Sequence, residues 1–204
     1  MFNSGKRGIF KTLSVRNVAI TLAIFLAGGA AFVGINGFFS YTNEMEFCTS
    51  CHSMQTNLRE LQETVHYKNS SGVRAVCSDC HVPKDFAPKL HAKIVAVKDI
   101  YHELVGTVDT EEKFEARRWR MATRVWDKMK ATDSRECRSC HDFDNMDFSA
   151  QGRMASRRHT RAQAKGQTCI DCHKGIAHTE PLPPEEWEEA EGDADAEETD
   201  TGDQ

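Results

Sequence analysis

Four stretches of this 204-residue chain share one spacing of reactive side chains: Cys48-Thr49-Ser50-Cys51-His52, Cys77-Ser78-Asp79-Cys80-His81, Cys137-Arg138-Ser139-Cys140-His141 and Cys169-Ile170-Asp171-Cys172-His173. Two cysteines three positions apart can form thioethers to the vinyl groups of a porphyrin. The histidine that follows can bond the iron, and together these make the attachment chemistry of c-type haem. A single C-x-x-C would equally suit a redox dithiol or half of a zinc site. Here the motifs use all eight cysteines, and histidine follows every pair. Neither zinc nor a disulfide requires that. The pattern predicts four covalently bound haem c groups, attached through Cys48, Cys51, Cys77, Cys80, Cys137, Cys140, Cys169 and Cys172, with His52, His81, His141 and His173 at the metal.

An electron-transfer haem of low potential favours a second strong axial ligand, commonly imidazole. Beyond the motifs the chain holds His66, His91, His102, His159 and His178, enough for several bis-histidine centres. Surface histidines would look the same, so the number alone does not choose among them. The first motif differs in continuing His52-Ser53-Met54. A methionine there either packs as an apolar side chain or offers its thioether to the metal.

The elements that must position these groups follow from charge and hydropathy. Residues 1–43 carry four basic side chains and no acid, residues 44–179 carry 22 basic and 19 acidic, and residues 180–204 carry 12 acids and no base. Asn17 to Asn43 is an uncharged run of 27 residues. As a helix it would be about 40 Å long, enough to cross the ~30 Å hydrocarbon layer once. The basic start places the N-terminus in the cytoplasm and the haem region across the membrane. A cleaved secretory signal would share the basic start, the first apolar run and the small residues Gly28-Gly29-Ala30-Ala31. Apolar character resumes at Phe32-Val33-Gly34-Ile35 and ends in the interfacial aromatics Phe38, Phe39 and Tyr41, which favours an uncleaved anchor. Gly28, Gly29 and Gly34 would let a second copy's helix approach, a route to homo-oligomers.

The first cysteines of the motifs fall 29 residues apart in one pair and 32 in the other, which suggests a duplicated two-haem unit. In the insert between the pairs, Pro83 and Pro88 are expected to break the beginning, and then Leu90, Ile94, Val97, Tyr101 and Leu104 recur at helical intervals. Asp109 with Glu112 predicts a second helix start. That helix carries an apolar face of Phe114, Met121 and Val125 beside Trp119, Ala122, Trp126 and Met129. Arg117, Arg118, Arg120, Arg124, Lys128 and Lys130 form a basic face, read as solvated near a membrane and not as a nucleic-acid surface. Large aliphatic residues are sparse, so the haems should supply much of the core and the apoprotein should be mostly unfolded. The expected architecture is mainly α: a cytoplasmic segment at 1–16, a transmembrane helix at 17–43, and a small periplasmic tetrahaem domain of two dihaem units at 44–180. An acidic tail at 181–204 is expected to be disordered.

From the anchor to about Pro181 the chain resembles the NapC/NirT/NrfH family of membrane-anchored tetrahaem quinol dehydrogenases. The resemblance is carried by the single anchor, the four motifs, His52-Ser53-Met54, and Asp79-Cys80-His81-Val82-Pro83-Lys84. The stretch Cys169-Ile170-Asp171-Cys172-His173-Lys174-Gly175-Ile176-Ala177-His178 is the most specific, and Arg138–Phe148 looks closest to the NapC branch. The resemblance implies Met54 as an axial ligand of the first haem and His66, His159 and His178 as distal ligands of the others. It implies Asp99, in Lys98-Asp99-Ile100-Tyr101, as an acid beside the open side of the first haem, and Lys93 as a group holding quinol. Lys89 competes with Lys93, since Lys93 and Asp99 lie about 120° apart on a helix. His91 and His102 match no ligand.

The implied function is oxidation of a membrane quinol, menaquinol or ubiquinol, inside the bacterial inner membrane. Electrons would pass to a periplasmic reductase, nitrate reductase above nitrite or trimethylamine-oxide reductases. A soluble periplasmic carrier is the rival, and it requires cleavage after the Gly28–Ala31 region. A stand-alone multihaem reductase is less suited, because the first haem would lie next to the anchor. The acidic tail departs from the family pattern and reads as a solubilising extension or a docking element for a basic partner patch.

Overall fold

The structure, a computed structural model, describes residues 14–184. Most of the basic start and the bulk of the acidic tail therefore lie outside the described residues. The chain divides into two compact units, one up to Thr42 and one from Asn43 onward. Among the described residues all regular structure is helical.

The first unit is helix α1, Val15–Tyr41. It starts two residues before the uncharged run and ends two before its close. Apolar side chains on every face, with no proline to break it, make it long and apolar enough to cross a membrane. Thr42 closes it, its hydroxyl donating to the Phe38 carbonyl at 2.9 Å.

The second unit contains α2 (Met45–Cys48), α3 (Met54–Gln62), α4 (Cys77–His81), α5 (Phe86–Leu104), α6 (Glu111–Ala131), α7 (Arg135–Arg138) and α8 (Arg153–Ala164), with single 3-10 turns at Phe143–Asn145, Phe148–Ala150 and Cys169–Asp171. Its large buried apolar residues, among those described, are Leu61, Phe114 and Ile170. That is too little apolar burial to offset the ordering of so many residues. The macrocycles must supply the rest of the core.

The haem motifs repeat in backbone detail, and the repeat alternates. In the first and third, the serine before the second cysteine donates to the carbonyl of the residue before the first cysteine: Ser50 to Phe47 and Ser139 to Glu136, each at 2.7 Å. In the second and fourth, aspartate replaces that serine and accepts from the N–H before the first cysteine: Asp79 from Val76 at 3.0 Å and Asp171 from Thr168 at 2.9 Å. A lysine neutralises each, Lys84 and Lys130 respectively, at 2.7 Å. Within each pair the even motif is tied to the segment preceding the odd one. Ser78 donates to the Asn43 carbonyl at 2.8 Å, and the Ile170 N–H donates to Ser134 Oγ at 3.1 Å. The two-haem duplication inferred from spacing therefore extends to specific hydrogen bonds.

The helices of the insert follow their sequence signals with three corrections. Pro88 does not break α5; it sits in the first turn, where its missing N–H has no helical partner to lose. The start of α6 is set by Thr110, whose hydroxyl accepts from the Lys113 N–H, and not by Asp109. Asp109 pairs instead with Lys113 at 2.8 Å and packs against Gly106, whose φ of +72° turns the chain between α5 and α6. A third correction concerns Arg118. It is 8% exposed and does not belong to a solvated face. Its guanidinium pairs with Glu60 of α3 and with Glu115 at 2.9 Å, and it donates to the Thr179 carbonyl at 2.9 Å. Three segments distant in sequence meet on this one side chain.

Desolvation pushes the Glu60 carboxyl up, but Arg118 and the Thr179 N–H outweigh it and hold it below the usual range. A depressed carboxylate stabilises the fold above its unfolded pKa of about 4.3, and that stability is lost as pH falls through its folded value. Arg118→Ala is expected to cost about 3 kcal/mol near neutral pH, because Glu60 is left partly buried and unpaired. The same variant should also flatten the loss of stability below about pH 4. Denaturant midpoints of the holoprotein at pH 7 and pH 3.5 check both.

Candidate functional site

None of the eight motif cysteines is in a disulfide. Cys48 and Cys77 are within hydrogen-bonding reach of each other, and Cys137 and Cys169 are close enough to feel each other's charge. The first cysteines of each motif pair thus adjoin, as the duplication requires. Among the described residues no three of His, Cys, Asp and Glu converge into a group that could hold an ion. The donor set is organised in pairs.

Those pairs are imidazoles. His66 faces His141 with ring centroids 6.2 Å apart, His81 faces His178 at 6.2 Å, and His159 faces His173 at 5.9 Å. A metal–imidazole bond is about 2 Å, and the ring centroid lies roughly 1 Å beyond the nitrogen. Two imidazoles on opposite sides of one iron therefore sit about 6 Å apart. The three separations fit haem iron. Each pair joins one motif histidine to one of the distal candidates His66, His159 and His178. The ring planes cross at 81° in the first pair and at 30° and 36° in the other two.

The surroundings suit neutral, ligating imidazoles. Chain packed around His81 desolvates it and pushes it down to about 4, although part of its ring keeps accessible surface; burial lowers His178 as well. Gln151 Oε1 lies 2.6 Å from His159 Nδ1, which fixes the ring and leaves Nε2 for a metal. Phe143 and Phe148 pack against the same ring at centroid distances of 6.2 and 5.8 Å, and Arg138 stacks over Phe143. The Arg138–Phe148 segment is thereby wrapped around the His159–His173 centre. His91 is exposed, and His102 is engaged with Tyr101 and, through Nδ1 at 3.3 Å, with Thr107. Neither faces another histidine.

His52 of the first motif is exposed and has no second imidazole opposite it. Met54 opens α3, and its sulfur accepts from Asn57 Nδ2 at 3.7 Å. Between them, buried Ser53 donates its hydroxyl to Glu103 Oε2 of α5 at 2.6 Å. Lys93, also on α5, is near enough to Cys48 for each to feel the other. The charges acting on Asp99 are Lys98, His102, Arg124 and Lys128, so it looks toward α6 and the structure does not bring it to Lys93. Sequence reasoning missed Glu103, Gln151 and the paired Asp79 and Asp171. Only the aspartates had a readable signal, a carboxylate three residues after the residue it caps.

Residues 11–183 match the NapC/NirT cytochrome c family, N-terminal region. This chain belongs to that family. It is 59% identical over 168 residues to a putative tetraheme cytochrome c-type protein of Allochromatium vinosum, covering 82% of this chain and 91% of that protein. It is 47% identical to the cytochrome c-type protein NapC of Escherichia coli strain K12 over 84% and 87% of the two chains. Against the cytochrome c-type protein TorY of Escherichia coli O157:H7 identity is 50%, over 80% of this chain and 44% of the longer relative. No solved structure matches. The chain is a tetrahaem c-type cytochrome of this family, carrying haem c on its four motifs.

The ring pairs make a prediction specific to individual residues. His66→Ala, His159→Ala and His178→Ala should each leave one haem in four without its sixth ligand, seen as high-spin absorption and electron paramagnetic resonance from a quarter of the iron. His91→Ala and His102→Ala should leave the spectra unchanged.

Proposed function

We propose that this cytochrome is held in the bacterial inner membrane by α1, with the preceding segment cytoplasmic and the haem unit periplasmic. There it oxidises a membrane quinol and passes the electrons to a periplasmic reductase. The observation that carries the reading is the asymmetry of the four centres: three have facing imidazoles and the first does not. We assign His66 with His141, His81 with His178 and His159 with His173 as the ligands of three relay haems, and Met54 with the first motif. A one-sided centre is where a substrate can approach, and six-coordinate centres are suited to electron relay.

Quinol oxidation releases two electrons and two protons. The haems, when bound, supply the one-electron acceptors. The remaining demands fall on the chain's own side chains. Lys93 can donate a hydrogen bond to a quinol oxygen and stabilise the negative charge that grows there as its proton leaves. Desolvation pushes Lys93 down, against the pull of Cys48; a thioether at Cys48 carries no charge and removes that pull. Desolvation raises Asp99, against the combined pull of Lys98, His102, Arg124 and Lys128, which brings it closer to the range of a useful proton acceptor. The accessible surface of Asp99 gives a proton a path outward to water. Its neighbours on α6 suit a role in carrying the proton away from the first motif better than direct contact with quinol.

For the acceptor we favour a nitrate reductase. This rests on the likeness of Arg138–Phe148 to the NapC branch and on the packing of that segment around His159. Relatives named TorY and NirT keep other reductases in view.

The test is anaerobic mixing of the detergent-solubilised holoprotein with a reduced quinol analogue, with dithionite defining full reduction. Rapid partial reduction is expected, slowed on the order of 10–100-fold in Lys93→Ala and less in Asp99→Asn. Reduction by dithionite but not by quinol would overturn the reading in favour of a carrier fed by another donor.

A further inference from the structure

Helix α5 is amphipathic in the inverted sense. At about 100° per residue, Leu90, Ile94, Val97, Tyr101 and Leu104 fall within an arc of about 80°. All five are exposed, from 39% at Leu90 to 81% at Leu104. The partly buried Ala92, Ala96, His102 and Glu103 lie on the other side, while exposed Val95 and Ile100 fall outside the arc. Glu103, about 140° from the centre of the apolar arc, binds Ser53 beside the first motif. The inner side of α5 is therefore the side that meets the first haem motif. The centre of the apolar stripe faces away from that contact.

We propose that this stripe is seated in the lipid surface, making α5 a second, in-plane membrane contact in addition to the spanning helix. Lysines flank the stripe on both edges, Lys89 on one and Lys98 on the other. The only carboxylates of the helix, Asp99 and Glu103, lie on its far side. Long lysine side chains can lay their methylenes along an apolar surface while their ammonium groups meet anionic headgroups. Chain continuity keeps α5 within reach of a bilayer. Asn43, the first residue of the haem unit, is hydrogen-bonded to Ser78, and Phe86 follows Ser78 by only eight positions. A stretch of that length spans at most about 28 Å. A helix of this composition, with aliphatic residues and a tyrosine on one face and lysines at its borders, has the make-up of an interfacial helix.

The experiment uses the full-length holoprotein in vesicles of phosphatidylethanolamine and phosphatidylglycerol doped with a phospholipid bearing a photoreactive group on its acyl chain. After illumination, peptides are mapped by mass spectrometry. Adducts are expected on residues 90–104 as well as on α1. Ile94→Ser/Val97→Ser, at exposed positions that leave the haem spectrum intact, should lower labelling of α5 by about tenfold without changing that of α1. Labelling confined to α1 would overturn the proposal. So would cross-links joining α5 of two protein copies in place of lipid adducts, which would make the stripe a protein interface.

Discussion

The separation of facing imidazoles is the constraint on which the rest of this structure depends. Two rings must stand about 6 Å apart on opposite sides of one iron, and the chain supplies those rings from places that do not follow its own duplication. His159 faces the motif next after it, at His173. By the same repeat His66 would serve His81, but it faces His141 of the second half. His81 is met instead by His178, from the end of the described chain. Two of the three pairs therefore join the halves. The first dihaem half holds no facing imidazole pair of its own, although the hydrogen bonds of the two halves repeat. With so few buried apolar side chains, these facing imidazoles and the haems carried on the four motifs take the place of a conventional core.

Around those cross-links the polar contacts are concentrated where chain segments must be held in register. Arg118 joins α3, α6 and the segment bearing His178. Ser134, fully buried and with a φ of 47°, sits in a left-handed turn beside Asp133 and receives the Ile170 N–H, which positions the fourth motif against the third. Such a turn is unfavourable for a residue with a side chain, and it persists because the surrounding bonds fix it. Arg138 reinforces it through Asp133 at 2.9 Å. Helix α5 separates two environments: charged groups that touch the first motif on one side and aliphatic surface on the other.

Much of this was readable from residue order. The four C-x-x-C-H motifs define the cofactor, the uncharged run gave helix α1 to within two residues, and apolar periodicity with a start signal one residue early gave both helices of the insert. The alternation of odd and even motifs was present in the sequence as Ser50 and Ser139 against Asp79 and Asp171. Which histidine meets which was not legible, because ligand pairing depends on contacts between residues up to about a hundred positions apart. Arg118 was misread for a related reason. One-dimensional periodicity places it among basic neighbours, and only tertiary packing brings Glu60 and Thr179 to it. The same holds for Lys93 and Asp99. Helical geometry warned that they point apart, and in the fold they have different neighbours.

The central claim is that three centres are bis-imidazole and the first is not. Electron paramagnetic resonance of the fully oxidised holoprotein, integrated against total haem, tests it most directly. The account predicts three low-spin bis-imidazole centres, one of them set apart by near-perpendicular rings at His66 and His141, and a fourth with a different signature. Four bis-imidazole signals of equal weight would contradict it.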